Sequence, residues 1–274
     1  NNNGSNNNGS NNNGSDNGNG TAVPIILRNC SIVDNTASEE GGGLWLPNSD
    51  DYSVWMHLDA CQVRGNQSDY GGGLHAGNGS VLEVISSTFD LNAAYFGGGM
   101  YMTESDETIV SNSLFLENEG AYGGGIYNSI GSLDLDDTTF TGNEAYQGGA
   151  IFEFETISVI SGSSFDENTA AEAGGAIYNL VSLSEIDTTH FCSNTPDDIH
   201  GAWFNEGDVT FEAICGSPAV CMGDTNADYN VDVLDLLYVI LVWNTNNPLA
   251  DFNEDGFVDV LDLLQVIANW GMCE

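Results

Sequence analysis

The chain has 274 residues, no lysine and only two basic side chains, Arg28 and Arg64, against 41 acidic ones, for a formal charge of −39 at pH 7. A surface this acidic repels nucleic acid and anionic headgroups, because binding either depends on Lys and Arg neutralising phosphates. No stretch approaches the roughly 20 apolar residues of a membrane-spanning helix, so no nucleic-acid partner and no membrane insertion are expected.

Clustered carboxylates need counter-cations, and a hard divalent ion such as calcium suits them. Six cysteines without any Cys-x-x-Cys pair favour disulfides in an oxidising compartment. The chain opens on Asn1 rather than Met, so an export signal is expected to have been removed and a secreted, extracellular or cell-surface location follows.

Residues 1–20 form an Asn/Gly/Ser tract with three copies of Asn-Asn-Asn-Gly-Ser. With no apolar side chain to bury, the tract cannot order itself alone, and it reads as a connector to a neighbouring surface. Asn3, Asn8, Asn13 and Asn19 fit the N-glycosylation pattern, as do Asn29, Asn66 and Asn78.

Residues 21–218 repeat two markers. The first is a glycine pair or triplet followed by bulky apolar residues, as in Gly71-Gly72-Gly73-Leu74, Gly97-Gly98-Gly99-Met100-Tyr101, Gly123-Gly124-Gly125-Ile126-Tyr127 and Gly174-Gly175-Ala176-Ile177-Tyr178. Its third residue falls at 43, 73, 99, 125, 150, 176 and 202. The second marker is an apolar residue followed three later by asparagine: Ile32/Asn35, Val63/Asn66, Phe89/Asn92, Phe115/Asn118, Phe140/Asn143, Phe165/Asn168 and Phe191/Asn194. Both markers advance together, mostly by 25 or 26 residues.

Short alternating runs such as Val81–Ile85 and Ser132–Leu135 carry the period of two of a strand. Each unit therefore offers about three short strands and cannot bury its apolar face alone, so identical units must stack. That describes an all-β fold, a parallel β-helix of about seven or eight coils. The glycines would turn its corners. The phenylalanines would stack inside, and the asparagines would form a ladder at one bend, where Asn tolerates a left-handed backbone. The paired Phe-x-x-Asn and Gly-Gly-x-Ile motifs resemble bacterial right-handed parallel β-helix proteins of the polymorphic outer membrane protein type. That resemblance implies a surface-displayed, adhesive protein.

Residues 219–274 hold two twelve-residue loops spaced by 27: Asp224, Asn226, Asp228, Asn230, Asp232 and Asp235, then Asp251, Asn253, Asp255, Phe257, Asp259 and Asp262. Oxygen ligands at positions 1, 3, 5, 9 and 12, with a main-chain carbonyl at position 7, match what calcium requires. Each loop runs into a duplicated amphipathic segment, Val233-Leu234-Asp235-Leu236-Leu237 and Val260-Leu261-Asp262-Leu263-Leu264. The pair resembles a type I dockerin, a small α-helical module with two EF-hand-type calcium loops. The resemblance implies two Ca2+ ions on those residues and a cohesin-like acceptor. Tyr229 stands where the first loop would carry glycine, and the apolar pairs Val233-Leu234 and Val260-Leu261 replace the hydroxyl pair of many dockerins. These departures point to a weaker first site, and to either a different acceptor or permanent packing on the chain's own β-helix.

Cys30 and Cys61 both lie two residues before their coil's apolar marker and are expected to bridge adjacent coils. The dockerin resemblance, whose ends lie together, implies Cys221–Cys273, leaving Cys192–Cys215.

Lyases acting on acidic sugars need Lys or Arg, which this chain scarcely has. Carboxylate pairs that could serve a glycoside hydrolase, such as Asp134 with Asp136 and Asp137, or Glu104 with Asp106 and Glu107, sit on runs whose other face is apolar and read as solvated. His57, His75, His190 and His200 share no spacing that suggests a triad or metal site. The expectation is no enzyme but an extracellular structural protein, a calcium-stabilised β-helix that self-associates, into a filament or surface layer, through its tail and dockerin-like module. The rival reading is a polysaccharide-binding adhesin or polysaccharide-degrading enzyme anchored by its dockerin.

Overall fold

The computed structural model describes residues 24–49, 53–212, 215, 225, 230–231, 233–245, 247, 250–252 and 256–272. The Asn-rich tail and the expected Cys221–Cys273 bridge lie outside them.

Residues 25–212 build a parallel β-solenoid with three strands per turn. One turn runs through Glu107–Ser111, Leu114–Leu116 and Ile126–Ser129; the next through Ser132–Asp136, Thr139–Thr141 and Ile151–Phe154. Successive turns pair in parallel and in register, with Thr108 beside Leu133, Phe115 beside Phe140 and Ile126 beside Ile151. The alternating strands and the glycine-side strands join into one 13-stranded sheet because Ile177–Asp187 runs through its corner without a break. About six turns repeat regularly. One further rung at either end, Ser31–Val33 and Thr210–Glu212, brings the phenylalanine sheet to eight strands. The expected seven or eight coils are thus about six regular turns with a less regular rung at each end.

The period-2 pattern decides which side chains enter the core. In Ser132–Asp136, Leu133 and Leu135 are buried while Asp134 and Asp136 are exposed. Phe89, Phe115, Phe140, Phe165 and Phe191 are fully buried and stack nearly parallel, with centroids 4.7 to 4.9 Å apart. Burying each ring contributes roughly 1.5–3 kcal/mol, and offset stacking adds to that.

The asparagines form a buried ladder along the corner that follows the phenylalanines. Asn118 Nδ2 donates to the Phe89 carbonyl at 3.0 Å and to Asn143 Oδ1 at 2.9 Å, while its own Oδ1 accepts from the Asn92 main-chain N–H and from Asn92 Nδ2, both at 3.0 Å. The same pattern continues through Asn143 and Asn168 to Asn194. The left-handed residue at this bend is not the asparagine. It is the residue before it: Asp34, Leu91, Glu117, Glu167 and Ser193, with glycine at 65 and 142. Asparagine is required there because one amide both donates and accepts, which lets every rung satisfy the next. Asn66, at 0% exposure within the ladder, is therefore not a glycosylation acceptor.

The glycine corner has a packing cause besides its φ. A Cβ on Gly98 would lie 2.5 Å from the Gly124 carbonyl of the next turn, while Gly97 takes φ +63. Aromatic side chains then close over the bare backbone. Tyr70, Phe96 and Tyr122 stack in one row, and Tyr101, Tyr127, Phe152 and Tyr178 in a second row beside it.

Cys30 is bonded to Cys61 and Cys192 to Cys215, with Cα separations of 4.6 and 5.1 Å. Both arginines pair across rungs, Arg28 with Asp59 and Arg64 with the buried Asp90.

Candidate metal centre and docking face of the C-terminal module

Two nine-residue helices, α1 (Val233–Leu241) and α2 (Val260–Ala268), repeat each other at an offset of 27 residues. Asp259 caps α2: its side chain accepts from the Leu261 N–H at 2.8 Å while Asp262 accepts from the Asp259 N–H at 2.8 Å, a reciprocal capping box. Acidic residues at a helix N-terminus are favoured by the exposed N–H groups and the macrodipole.

The two halves interlock symmetrically. Val231 pairs with Gly271, beyond α2, and Val258 exchanges main-chain hydrogen bonds with Asn244 and Thr245, beyond α1. Each loop is thus held by the chain that leaves the other helix. Val231, Val239, Ala250, Val258 and Val266 form the small core.

Asp235 and Asp262 occupy equivalent places, and both are fully buried. Asp235 Oδ1 accepts from the Thr225 N–H at 2.7 Å, and Asp262 Oδ1 accepts from the Phe252 N–H at 2.8 Å, so each helix carboxylate closes back onto the second residue of its own loop. Asp251 Oδ2 accepts from the Gly256 N–H at 2.9 Å, and Gly256 takes φ +91, the turn that the sixth loop position demands. The structure thus brings Asp251, Asp259 and Asp262 to one loop at the start of α2. Phe257 lies on the same loop with its side chain 61% exposed, leaving a main-chain carbonyl as its means of ligation. Asp224, Asn226, Asp228, Asp232, Asn253, Asp255 and Tyr229 lie outside the described residues, and Asn230 is described by its backbone pairing with Met272.

The outward faces of the helices are apolar. Val233, Leu237 and Ile240 on α1 and their counterparts Val260, Leu264 and Ile267 on α2 are each at least 51% exposed. The spacing i, i+4, i+7 places each trio on one stripe.

The Dockerin type I domain model matches residues 222–269. The Chlamydia polymorphic membrane protein repeat model matches residues 137–152 and 162–180, two units that each contain both markers of the solenoid. No curated protein and no solved structure matches the chain. Together with the parallel β-solenoid these matches fit an extracellular surface protein, and no enzyme family is indicated. Among the described residues no helix is long and apolar enough to cross a membrane.

Elsewhere, Asp166, His190 and Cys192 bring three potential ligand atoms within 4.8 Å of one another, but Cys192 is disulfide-bonded and supplies no thiolate. One feature escaped the sequence patterns. Glu153 points into the solenoid at 0% exposure, where its carboxyl accepts from the Ser158 hydroxyl at 3.1 Å and the Ser184 hydroxyl at 3.3 Å. Burial pushes its pKa up to about 7 against the opposing effect of the hydroxyls. Its register neighbours are Asn128 and Asn179. Aligning the coils residue by residue would have shown a carboxyl at a place where earlier turns carry Ala76 and Met102.

Proposed function

We propose that the chain is a secreted or cell-surface structural protein, a β-solenoid scaffold of residues 21–218 whose C-terminal module, 219–274, is stabilised by calcium and joins copies of the chain. The observation that carries this reading is the matched pair of exposed apolar stripes on α1 and α2. In a chain of net charge −39 they form an uncharged surface through which two copies can approach. Among the described residues, the terminal rungs of the solenoid leave Ile26 50% and Phe211 47% exposed, and strand edges of this kind need cover.

Type I dockerin domains generally bind calcium, and the donor chemistry here fits it. Asp235 and Asp262 are fully buried carboxylates in a chain without lysine, whose two arginines pair with solenoid carboxylates. A bound cation would compensate such buried groups. Asp224, Asn226, Asp228, Asn230, Asp232 and Asp235 would hold one ion, and Asp251, Asn253, Asp255, Phe257, Asp259 and Asp262 the other. Each ion would tie its loop to the start of a helix and so fix the two stripes relative to one another.

Sedimentation velocity and electron microscopy of the purified protein with calcium test this. Association should grow with concentration, and it should be lost in EDTA and in the Leu237→Asp/Leu264→Asp variant. Dispersed monomers at every concentration would overturn self-association. The dockerin match favours a second reading, docking to a cohesin-like acceptor through the same stripes. Monomers that bind such an acceptor would establish it instead.

A further inference from the structure

The aromatic rows over the glycine corner carry two rings that the stacking does not use. Tyr70, Phe96 and Tyr122 lie face to face, with centroids 5.3 and 5.4 Å apart and planes within 16°. Their planes therefore stand across the solenoid axis, and both faces of Phe96 are occupied by its neighbours. Tyr95 is turned by 77° from Phe96 and 68° from Tyr122, at 4.8 and 5.8 Å. Tyr95 thus crosses the row steeply and stands outside the stack. Tyr146 also stands steeply to the row, at 83° and 6.5 Å from Tyr122. Both rings are half exposed, 54% for Tyr95 and 51% for Tyr146.

These two rings occupy equivalent sites two turns apart. The Ala121 N–H donates to the Tyr95 carbonyl and the Tyr146 N–H to the Ala121 carbonyl, so the column reads Tyr95, Ala121, Tyr146. With rungs about 4.8 Å apart, the rings are separated by about 10 Å along the axis, and alanine leaves the space between them low. The result is a pair of half-exposed rings, two turns apart, on one edge of the solenoid. A pyranose chain in extended form advances by a similar distance for each pair of sugars, and it presents apolar C–H faces at that interval.

We propose that the Tyr95–Ala121–Tyr146 column binds an uncharged, β-linked polysaccharide laid along the solenoid axis, with sugar rings stacked on the two tyrosines. Charge selects this occupant. The flanking Glu119, Glu144 and Glu172 are exposed carboxylates, which accept hydrogen bonds from sugar hydroxyls and repel uronate chains. They also repel a second copy of this chain, which brings the same carboxylates with it. The column lies on the solenoid, apart from the C-terminal module, so its test is independent of calcium and of self-association.

The test is affinity electrophoresis of the full chain through gels containing hydroxyethyl cellulose or xylan, with polygalacturonate as the anionic control. Retention is expected on an uncharged polymer and not on polygalacturonate. The Tyr95→Ala/Tyr146→Ala variant should bind at least tenfold more weakly, because central aromatic anchors dominate such contacts. It should keep the wild-type far-ultraviolet spectrum and melting temperature, whereas Tyr95→Trp/Tyr146→Trp should restore retention. Three results would overturn the proposal: no retention of the wild type on either uncharged polymer, equal retention of the alanine variant, or preference for polygalacturonate.

Discussion

Replacing Asn118 by alanine removes one rung from the middle of a buried ladder. Four side-chain hydrogen bonds go with it: two donated by Asn118 Nδ2, to the Phe89 carbonyl and Asn143 Oδ1, and two accepted from Asn92. The Asn92 main-chain N–H then loses its partner inside a site where Asn92 is 0% and Asn118 1% exposed. An orphaned buried donor costs about 1–3 kcal/mol and each ordinary hydrogen bond contributes about 0.5–1.5 kcal/mol, so the loss should be on the order of 4 kcal/mol. Asn35 is the control. It stands at the exposed start of the ladder, where its side chain makes one bond, to Asn66 Oδ1 at 2.9 Å, so Asn35→Ala should cost under about 1 kcal/mol. Urea unfolding followed by far-ultraviolet circular dichroism measures both. Equal losses for the two variants, or a loss below about 1 kcal/mol for Asn118→Ala, would show that the ladder is not what holds this corner.

Glu153 gives the solenoid a pH dependence. Its folded pKa is raised to about 7 from 4.5, so this contribution is complete below pH 4.5 and is lost as pH rises to about 7, amounting to about 3 kcal/mol. Glu153→Gln should flatten that slope, and stability curves of both proteins from pH 4 to 8 will show it. Val181 is a β-branched residue held at φ +58 with 77% exposure, so Val181→Asn should relieve strain and raise stability by about 1 kcal/mol in the same urea assay. Removing calcium with EDTA should lower the melting of the C-terminal module and leave the solenoid transition in place. Calorimetric traces unchanged by EDTA would refute the calcium assignment.

Much of the solenoid was legible because its physics is local and repeated. A unit of 25 or 26 residues with three apolar-alternating runs has one way to bury its faces, and Phe115 over Phe140 with Asn118 over Asn143 is what that repetition builds. The acidic spacing of the second loop is a pattern of the sequence, whereas the closure of Asp262 onto the Phe252 N–H is seen in the structure alone. The left-handed corners were misplaced by one residue. Leu91, Glu117 and Glu167 have no intrinsic preference for positive φ, and they are held there by pairing with the turns on either side. The glycosylation pattern at Asn66 failed for a related reason, since burial depends on the neighbouring turn.

The sequence by itself determined the period, the inward set of side chains and the duplicated acidic loops, because each follows from residue type and spacing along one stretch of chain. Only the tertiary structure decided what stacking does to residues distant in sequence. It set a lone carboxyl, Glu153, among Ser158 and Ser184. It set Tyr95 and Tyr146 steeply against a stack of rings and left both half exposed. And it left the apolar stripes of α1 and α2 on the outside of their module, while Val239 and Val266 on another side of each helix enter the core.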